Sequence, residues 1–172
     1  SGTGAIEIKS GYGLNIEDEM KMLRVIRVLK QLSPIPIKST FLGAHAVPEE
    51  FKNNKAAYMY LVCNEMLPRI AGENLADFID IFCETGYFDL DDLKQIIEAG
   101  DKYGIKAKVH VNQFNSFGAV QIACTHGALS VDHLEVMKEE DYIALEQSNT
   151  LATALPLCSL FLDIPYTPGK DL

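Results

Sequence analysis

The sequence has no tryptophan, no CxxC pair and only four cysteines, which lie far apart at Cys63, Cys83, Cys124 and Cys158. This spacing indicates neither a zinc ribbon nor a disulfide framework, and it favours a reduced, cytoplasmic protein. No apolar run approaches the roughly 20 residues that a membrane-spanning helix needs. We therefore expect no membrane segment in this chain.

Basic residues are also scarce. Lys and Arg together number 15 against 24 Asp and Glu, which gives a formal net charge of −9 at pH 7. Phosphate backbones and anionic membrane surfaces attract clustered Lys and Arg, so neither nucleic acid nor a membrane is expected as a partner. What the chain does have, 172 residues of which 48% are hydrophobic, is enough to bury a sizeable core as one domain.

Short apolar or β-branched runs alternate with amphipathic helical patterns along the chain. Six runs predict strands, at residues 5–9, 37–42, 78–83, 106–110, 128–131 and 150–154. Helices are predicted between them, with Asn15 as N-cap of the first, Pro68 as a break or kink in the second and Asn115 as cap of the fourth. The alternation predicts parallel pairing through right-handed crossovers, and hence an α/β fold.

Polar segments follow nearly every predicted strand. They lie at residues 10–13, 43–46, 84–86, 110–113, 132–135 and 156–159. A doubly wound sheet concentrates its site at one switch point, whereas a barrel brings all strand carboxyl ends around one mouth. We therefore predict part of a TIM-like (β/α)8 barrel. Six βα units cannot close an eight-stranded ring, so residues 1–172 are expected to form a single segment of a longer barrel domain.

Three of the four histidines, His45, His110 and His133, follow predicted strand ends. Any one of them alone would be interpreted as a hydrogen-bonded histidine near the surface or core, but the shared position of three indicates a site. Neutral imidazole binds a borderline metal such as zinc, and the ring exchanges protons near neutral pH. His126, beside Gly127, is interpreted instead as a histidine that stabilises a helix end.

Tyr12 and Gln113 are candidates for contacting a small molecule, although both patterns also fit ordinary surface positions. Tyr12 lies between two glycines, in a turn that can present the phenol to a ligand. Gln113 stands three residues after His110, and its amide can orient a ligand but does not titrate. The GYG turn is not a GxGxxG fingerprint and no P-loop pattern is present, so no nucleotide cofactor is indicated.

Glu84 closes the third predicted strand. There its carboxylate is expected to hold a histidine or to pair with Lys9 or Lys38. Cys158 follows the last strand and is interpreted as a small buried residue rather than a nucleophile.

Five segments together resemble the imidazolonepropionase family of metal-dependent amidohydrolases. They are, in order, EIKSGYGL at 7–14, TFLGAHA at 40–46, CNEMLP at 63–68, IFCE at 81–84 and VDHLE at 131–135. The resemblance implies strands two to seven of an amidohydrolase barrel, without strands one and eight or any flanking β-sandwich. It also implies a homodimeric parent protein of histidine degradation that hydrolyses 4-imidazolone-5-propanoate to N-formimidoyl-L-glutamate with one bound zinc or iron ion.

The same resemblance implies a role for each candidate residue. His110 matches a metal-binding histidine, and His133 matches the catalytic histidine that contacts the attacking water or the substrate. Tyr12, His45 and Gln113 match substrate-binding positions. Some members carry Glu where this chain has Gln113, and the part in proton handling given to that glutamate is left open here.

Several elements of the family pattern are missing from these residues. The family takes two further metal-binding histidines from an HxH motif on its first strand and an aspartate from its eighth, and an arginine binds the substrate carboxylate. Because a catalytic metal needs about three protein ligands, His110 cannot hold one alone, and we expect the isolated chain to be inactive. Two other functions stay open: another amidohydrolase, such as a deaminase of a cyclic amidine or nucleobase, and a non-catalytic, barrel-derived binding module.

Overall fold

The computed structural model describes residues 2–172, and its centre is one sheet of six parallel strands. The strands are β1 (Ile6–Lys9), β2 (Ile37–Ala44), β3 (Phe78–Cys83), β4 (Lys106–Val111), β5 (Ser130–His133) and β6 (Leu151–Thr153). Each strand pairs with the one before it in the chain, in the order β1-β2-β3-β4-β5-β6. A doubly wound sheet reverses its strand order at a switch point, whereas this order runs in one direction as in a barrel wall.

Helices connect the strands. They are α1 (Ile16–Leu32), α2 (Lys55–Leu61), α3 (Leu67–Gly72), α4 (Leu90–Asp101), α5 (Ala119–Thr125), α6 (Glu139–Glu146) and α7 (Pro156–Leu162). The side chain of Asn15 accepts a hydrogen bond from the Asp18 N–H at 2.9 Å, so the predicted N-cap of α1 is confirmed. Across residues 2–172, no helix combines the length and the apolar character that crossing a membrane requires.

The chain passes Pro68 without a break. A π-helical turn, Val62–Met66, joins α2 to α3, and Pro68 lies in the first turn of α3. Proline is tolerated in a first turn because the backbone N–H that it lacks has no partner there in any case. The interruption predicted from the sequence therefore takes the form of a wider helical turn.

The prediction for Asn115 is wrong. Helix α5 begins at Ala119 behind Gly118, which has a left-handed φ of 105°. Asn115 instead donates a side-chain hydrogen bond to Glu84 at 3.3 Å. The loop before α5 is also held by the fully buried Asp141, whose carboxylate accepts hydrogen bonds from Asn112, Ser116 and Gln121. These tertiary bonds fix the loop and displace the helix start by three residues.

The hydrophobic core fills the space between the helices and one face of the sheet. Its largest fully buried members include Tyr58, Phe41, Phe88, Met59 and Ile79. The Tyr58 hydroxyl donates to the Gly43 carbonyl at 2.7 Å, so the one polar atom of this ring is satisfied. The ring of Phe41 leaves no room for a side chain at Gly43, where an ideal Cβ would lie 2.5 Å from Phe41 Cζ.

Candidate functional site

A row of rings crosses the carboxyl ends of the strands. Ring centroids are 4.9 Å apart for Tyr12 and His45, 6.1 Å for His45 and Phe82, 6.3 Å for Phe82 and His110, and 5.1 Å for His110 and His133. The structure thus brings four of the five predicted site residues to one edge of the sheet. Their chemical roles remain predictions.

The turn that carries Tyr12 is hydrogen-bonded to a buried carboxylate. Glu19, on the first turns of α1, is fully buried and accepts hydrogen bonds from the backbone N–H groups of Gly11, Gly13 and Leu14 at 2.8–3.1 Å. Gly11 has a φ of 111°, and a Cβ there would lie 2.7 Å from the Leu42 carbonyl oxygen. The turn is therefore rigid although the Tyr12 side chain is 79% exposed.

His45 closes the same corner of the site. Its Nδ1 atom lies 3.2 Å from the Gly11 carbonyl oxygen, and its ring meets Tyr12 edge to face. This contact orients the imidazole and leaves Nε2 as the nitrogen available to a ligand.

His110 is held by a carboxylate on the neighbouring strand. Its Nδ1 atom lies 3.0 Å and 2.8 Å from the two carboxylate oxygens of Asp80, which is fully buried. Burial alone would lower the pKa of His110, but the Asp80 charge outweighs it and holds that pKa above its ordinary value. Burial alone would raise the pKa of Asp80, and His110 and Lys9 together hold it below its ordinary value.

His133 is held more loosely, on a backbone that breaks the strand pattern. By alternation along β5 it would face the same side as Val131, which packs in the core, but His133 has a left-handed φ of 92°. Its Nδ1 atom lies 3.5 Å from Glu135, and the Glu135 carboxylate accepts a hydrogen bond from Ser159 at 2.8 Å. Burial, and then the nearby His110, lower the pKa of His133.

Gln113 lies apart from the row of rings. Its side-chain amide is buried and donates to the Cys158 sulfur at 3.6 Å. Burial, and then the Glu135 charge, raise the pKa of the Cys158 thiol, which keeps it protonated and unreactive near neutral pH. This contact is consistent with the interpretation of Cys158 as a packing residue.

The expected partners of Glu84 are wrong. Its buried carboxylate accepts hydrogen bonds from the Phe114 N–H at 3.1 Å and from Asn115, and so it anchors the loop after β4 that carries Gln113. Lys9 pairs instead with Glu7 and Asp80, and Lys38 pairs with Asp77. The lysines lie too far down the strands to reach the carboxyl end where Glu84 is.

Three residues that shape the site were missed by sequence reasoning: Asp80, Phe82 and Glu19. Asp80 had a detectable signal, because an acidic side chain in the middle of the apolar strand FIDIFC must find a buried partner. Phe82 and Glu19 had none, since an aromatic in a strand and a glutamate in a first helical turn both fit ordinary structure.

The residues present fit one metal ligand and not a complete metal site. The Nδ1 atom of His110 is engaged by a carboxylate, which is the arrangement found behind metal-binding histidines and which leaves Nε2 for the metal. Within residues 2–172, no group of three or more His, Cys, Asp or Glu side chains is placed to hold a metal ion. Any further ligands would have to come from outside this segment.

Comparison with curated proteins shows extensive sequence similarity. The imidazolonepropionase of Christiangramia forsetii is 57% identical over 171 residues, which cover 99% of this chain and 42% of that protein. This chain is homologous to the imidazolonepropionases. The imidazolonepropionase of Thermoanaerobacter pseudethanolicus is 43% identical over 99% of this chain and 41% of its own length. The chain thus spans about two fifths of the length of the curated imidazolonepropionases it matches, and no protein-family model matches it.

Solved structures show the same fold at low sequence identity. Guanine deaminase from C. acetobutylicum superposes with a TM-score of 0.70 at 11% identity, over 98% of this chain and 43% of that chain. The 5-methylcytosine deaminase from Klebsiella pneumoniae gives a TM-score of 0.66 at 12% identity, over 92% of this chain and 40% of that one. With the strand order, these similarities confirm the predicted fold class: six consecutive βα units of an incomplete TIM-type barrel.

Proposed function

We propose that this chain is part of a cytoplasmic hydrolase that opens the cyclic amide ring of 4-imidazolone-5-propanoate to give N-formimidoyl-L-glutamate. The observation that carries the proposal is the pair of histidines at the carboxyl end of the sheet: His110, with its Nδ1 held by Asp80, and His133, whose ring lies 5.1 Å away. The homology to imidazolonepropionases over 99% of the chain supports the choice of reaction.

Each candidate side chain is proposed to have a separate role in this hydrolysis. The water oxygen would add to the ring carbonyl carbon and the ring C–N bond would break. One water proton would go to the departing nitrogen, which becomes part of the formimidoyl amidine, and the other would be released as the carboxylate forms. His133 would polarise the carbonyl or position the water, while Tyr12 and His45 would donate hydrogen bonds to the ring and the propionate tail. Gln113 would orient the ring amide, since its own amide cannot exchange a proton.

The proposed metal ion would be bound jointly by this segment and by residues of the complete protein outside it. A zinc or iron ion, held by His110 and by ligands outside residues 1–172, would lower the pKa of a bound water so that hydroxide forms near neutral pH. Since His110 is the one metal ligand proposed within this segment, the isolated 172 residues are expected to be inactive. The complete protein is expected to act as a homodimer on this small molecule, without nucleic acid or membrane.

The test is turnover of 4-imidazolone-5-propanoate by the complete protein that carries this chain, loaded with metal and followed by loss of the substrate's ultraviolet absorbance. His110→Ala should abolish turnover. His126→Ala is the matched control, because His126 lies at the far end of α5 with its Nδ1 2.9 Å from the Ile122 carbonyl oxygen, and it should leave turnover unchanged. Full activity of His110→Ala, or turnover by the isolated segment, would contradict the proposal.

A deaminase is the second candidate, because both solved structures described above are deaminases with the same fold. The products distinguish the two reactions. A deaminase releases ammonia from its cyclic substrate, whereas ring opening of the imidazolone releases none in that step. A metal-loaded complete protein that leaves the imidazolone intact and releases ammonia from a nucleobase or cyclic amidine would favour the deaminase.

A further inference from the structure

A ladder of charged side chains crosses the sheet just below the histidines. The ammonium of Lys9 on β1 lies 2.9 Å from Asp80 on β3 and 2.8 Å from Glu7, and Asp132 on β5 is 3.8 Å away. Glu7 in turn pairs with Lys108 on β4. Lys9 is therefore surrounded by three carboxylates, on β1, β3 and β5.

Asp80 is the member of this ladder whose side chain lies within hydrogen-bond distance of a candidate site residue, His110. One of its oxygens, Oδ1, accepts hydrogen bonds from the backbone N–H groups of Ile81 at 2.7 Å and His110 at 3.2 Å, and Nδ1 of His110 lies within 3.0 Å of both oxygens. The carboxylate is thus fixed by its own backbone, by the next strand and by Lys9. Both oxygens of this buried carboxylate are therefore satisfied, and its position is fixed.

This geometry sets the tautomer and direction of the imidazole. When the imidazole is neutral, the Asp80 carboxylate accepts the Nδ1 proton of His110 and the lone pair is left on Nε2. The ring cannot rotate without breaking its contacts with both Asp80 oxygens. Lys9 donates to Oδ2 of Asp80 at 2.9 Å and so holds the carboxylate in place.

From these contacts we infer that Asp80 and Lys9 are positioning residues for the metal: Asp80 presents Nε2 of His110 to the ion, and Lys9 holds Asp80 in the orientation that does so. The inference rests on the proposed function through the metal-binding role of His110. It goes beyond that function because it assigns a role to two residues that are not among the proposed metal and substrate contacts.

The experiment measures Co²⁺ affinity of the complete protein by competition with a chromophoric chelator. Asp80→Asn should weaken Co²⁺ binding by about 10- to 100-fold, the usual cost of losing such a partner, and Asp80→Glu should recover part of the loss. Lys9→Met should weaken binding by a smaller factor. The matched control is Asp77→Asn, the same substitution three residues away, where the carboxylate pairs with Lys30 and Lys38 and not with a histidine.

A thermal unfolding curve of each variant separates positioning from stability, and the Co²⁺ absorption spectrum adds a second measurement. Asp77→Asn should lower the melting temperature and leave Co²⁺ affinity and spectrum unchanged, whereas folded Asp80→Asn should change both affinity and spectrum. Wild-type affinity in folded Asp80→Asn would overturn the inference, as would equal losses in Asp80→Asn and Asp77→Asn. If Asp80→Asn does not fold, wild-type affinity in both Lys9→Met and Asp80→Glu would overturn it.

His110→Ala, measured alongside, separates this inference from the proposed function. Loss of Co²⁺ in His110→Ala with wild-type binding in Asp80→Asn would reject only the positioning role. Unchanged Co²⁺ affinity in His110→Ala would reject the metal role on which both rest. A protein that binds Co²⁺ as expected but leaves the imidazolone intact would reject only the substrate.

Discussion

Asp77 and Asp80 lie three residues apart, just before β3 and in its middle, and both accept hydrogen bonds from lysines. Asp77 is partly exposed at the amino end of the sheet and pairs with Lys30 and Lys38. Asp80 is fully buried. It accepts a hydrogen bond from Lys9 and also contacts Nδ1 of His110 near the carboxyl end of the sheet. The same pair of residue types therefore stabilises the fold at one end of the strand and orients a candidate site residue at the other.

The whole sheet repeats this division. Side chains at the amino ends form ion pairs between elements, such as Lys106 with Asp101 at 2.8 Å. Side chains at the carboxyl ends hold loops and rings, such as Glu19 under the Tyr12 turn and Glu84 under the loop with Gln113. Barrel enzymes separate stability from function in this way, and substitutions at the two ends should therefore differ in what they change.

The largest effect is expected from Glu19→Gln at the carboxyl end. The amide can accept fewer of the backbone N–H bonds from residues 11–14, and buried donors left without a partner should cost about 3 kcal/mol of unfolding free energy in the complete protein. KM should rise because Tyr12 is a proposed substrate contact. Chemical denaturation and steady-state kinetics measure both, with exposed Glu17→Gln as control. A variant with wild-type stability and unchanged KM would contradict the functional role given to the carboxyl end of the sheet.

Gly43→Ala also changes the carboxyl end of the sheet, but it alters side-chain packing rather than a hydrogen bond. The added Cβ would lie 2.5 Å from Phe41 Cζ in a filled core, and overpacking of this kind should destabilise the protein by about 2 kcal/mol. Gly72→Ala is the control at the end of α3, where no atom lies within 4 Å of an added Cβ. It should stabilise by about 0.5 kcal/mol, because alanine restricts the unfolded chain. Equal denaturation midpoints for the two variants would contradict this prediction.

Asp77→Asn tests the amino end and gives a dependence on pH. Burial would raise the pKa of Asp77, but Lys30, the Ser39 N–H and Lys38 hold it well below the ordinary value. A lowered folded-state pKa adds stability that is present above the unfolded value near 3.9 and is lost as pH falls below it. The variant should lose about 1 kcal/mol of unfolding free energy at pH 7, a modest loss because the ion pair is partly exposed. KM should be unchanged, because Asp77 lies at the amino end of the sheet, away from the candidate site.

Denaturation of both proteins across the acid range measures this prediction. The difference in unfolding free energy between wild type and Asp77→Asn should become smaller as pH falls from about 5 toward 2, because the wild type then loses the charge that the variant lacks. Asp91→Asn, at an exposed carboxylate that pairs with Lys94, should show no gap at any pH. A gap for Asp77→Asn that widens toward acid would contradict the sign of the shift.

The smallest effect concerns thiol labelling in the native protein. Burial raises the pKa of Cys63 and of Cys83 to about 12, and both lie in the core, so a thiol reagent should reach them only after unfolding. Cys124 is partly exposed and should react first. Peptide mapping of labelled protein measures the order. Labelling of Cys63 or Cys83 as fast as Cys124 would show that the core opens under native conditions.

Much of the fold was predictable from the sequence because strands and helices leave local patterns. All six strands lie where apolar runs occur, and α1 starts at its predicted cap. The predicted fifth strand, 128–131, is two residues early, since β5 is Ser130–His133. The reason is that β5 ends on two polar residues, Asp132 and His133, which pair with β4 but which a hydrophobicity pattern does not assign to a strand.

The candidate site was predictable only in part. His45, His110 and His133 could be placed at strand ends because periodicity marks where strands stop, and Tyr12 because glycines mark its turn. The partners of these residues could not be predicted, because they come from other strands and helices. Glu84 was assigned to a lysine and holds a loop instead, while Asp80 and Glu19, which hold the site, were not assigned at all.

The sequence by itself determined the α/β alternation, the parallel order of the strands and the resemblance to imidazolonepropionases, because these depend on local periodicity and on motifs of neighbouring residues. The tertiary structure decided which charged side chains meet across the sheet. Lys9 and Asp80 are 71 positions apart in the chain, and Asp80 and His110 are 30 apart. Hydrogen bonds of this kind form only once the strands are in register, so the orientation of His110 is a property of the folded sheet and not of any segment of the sequence.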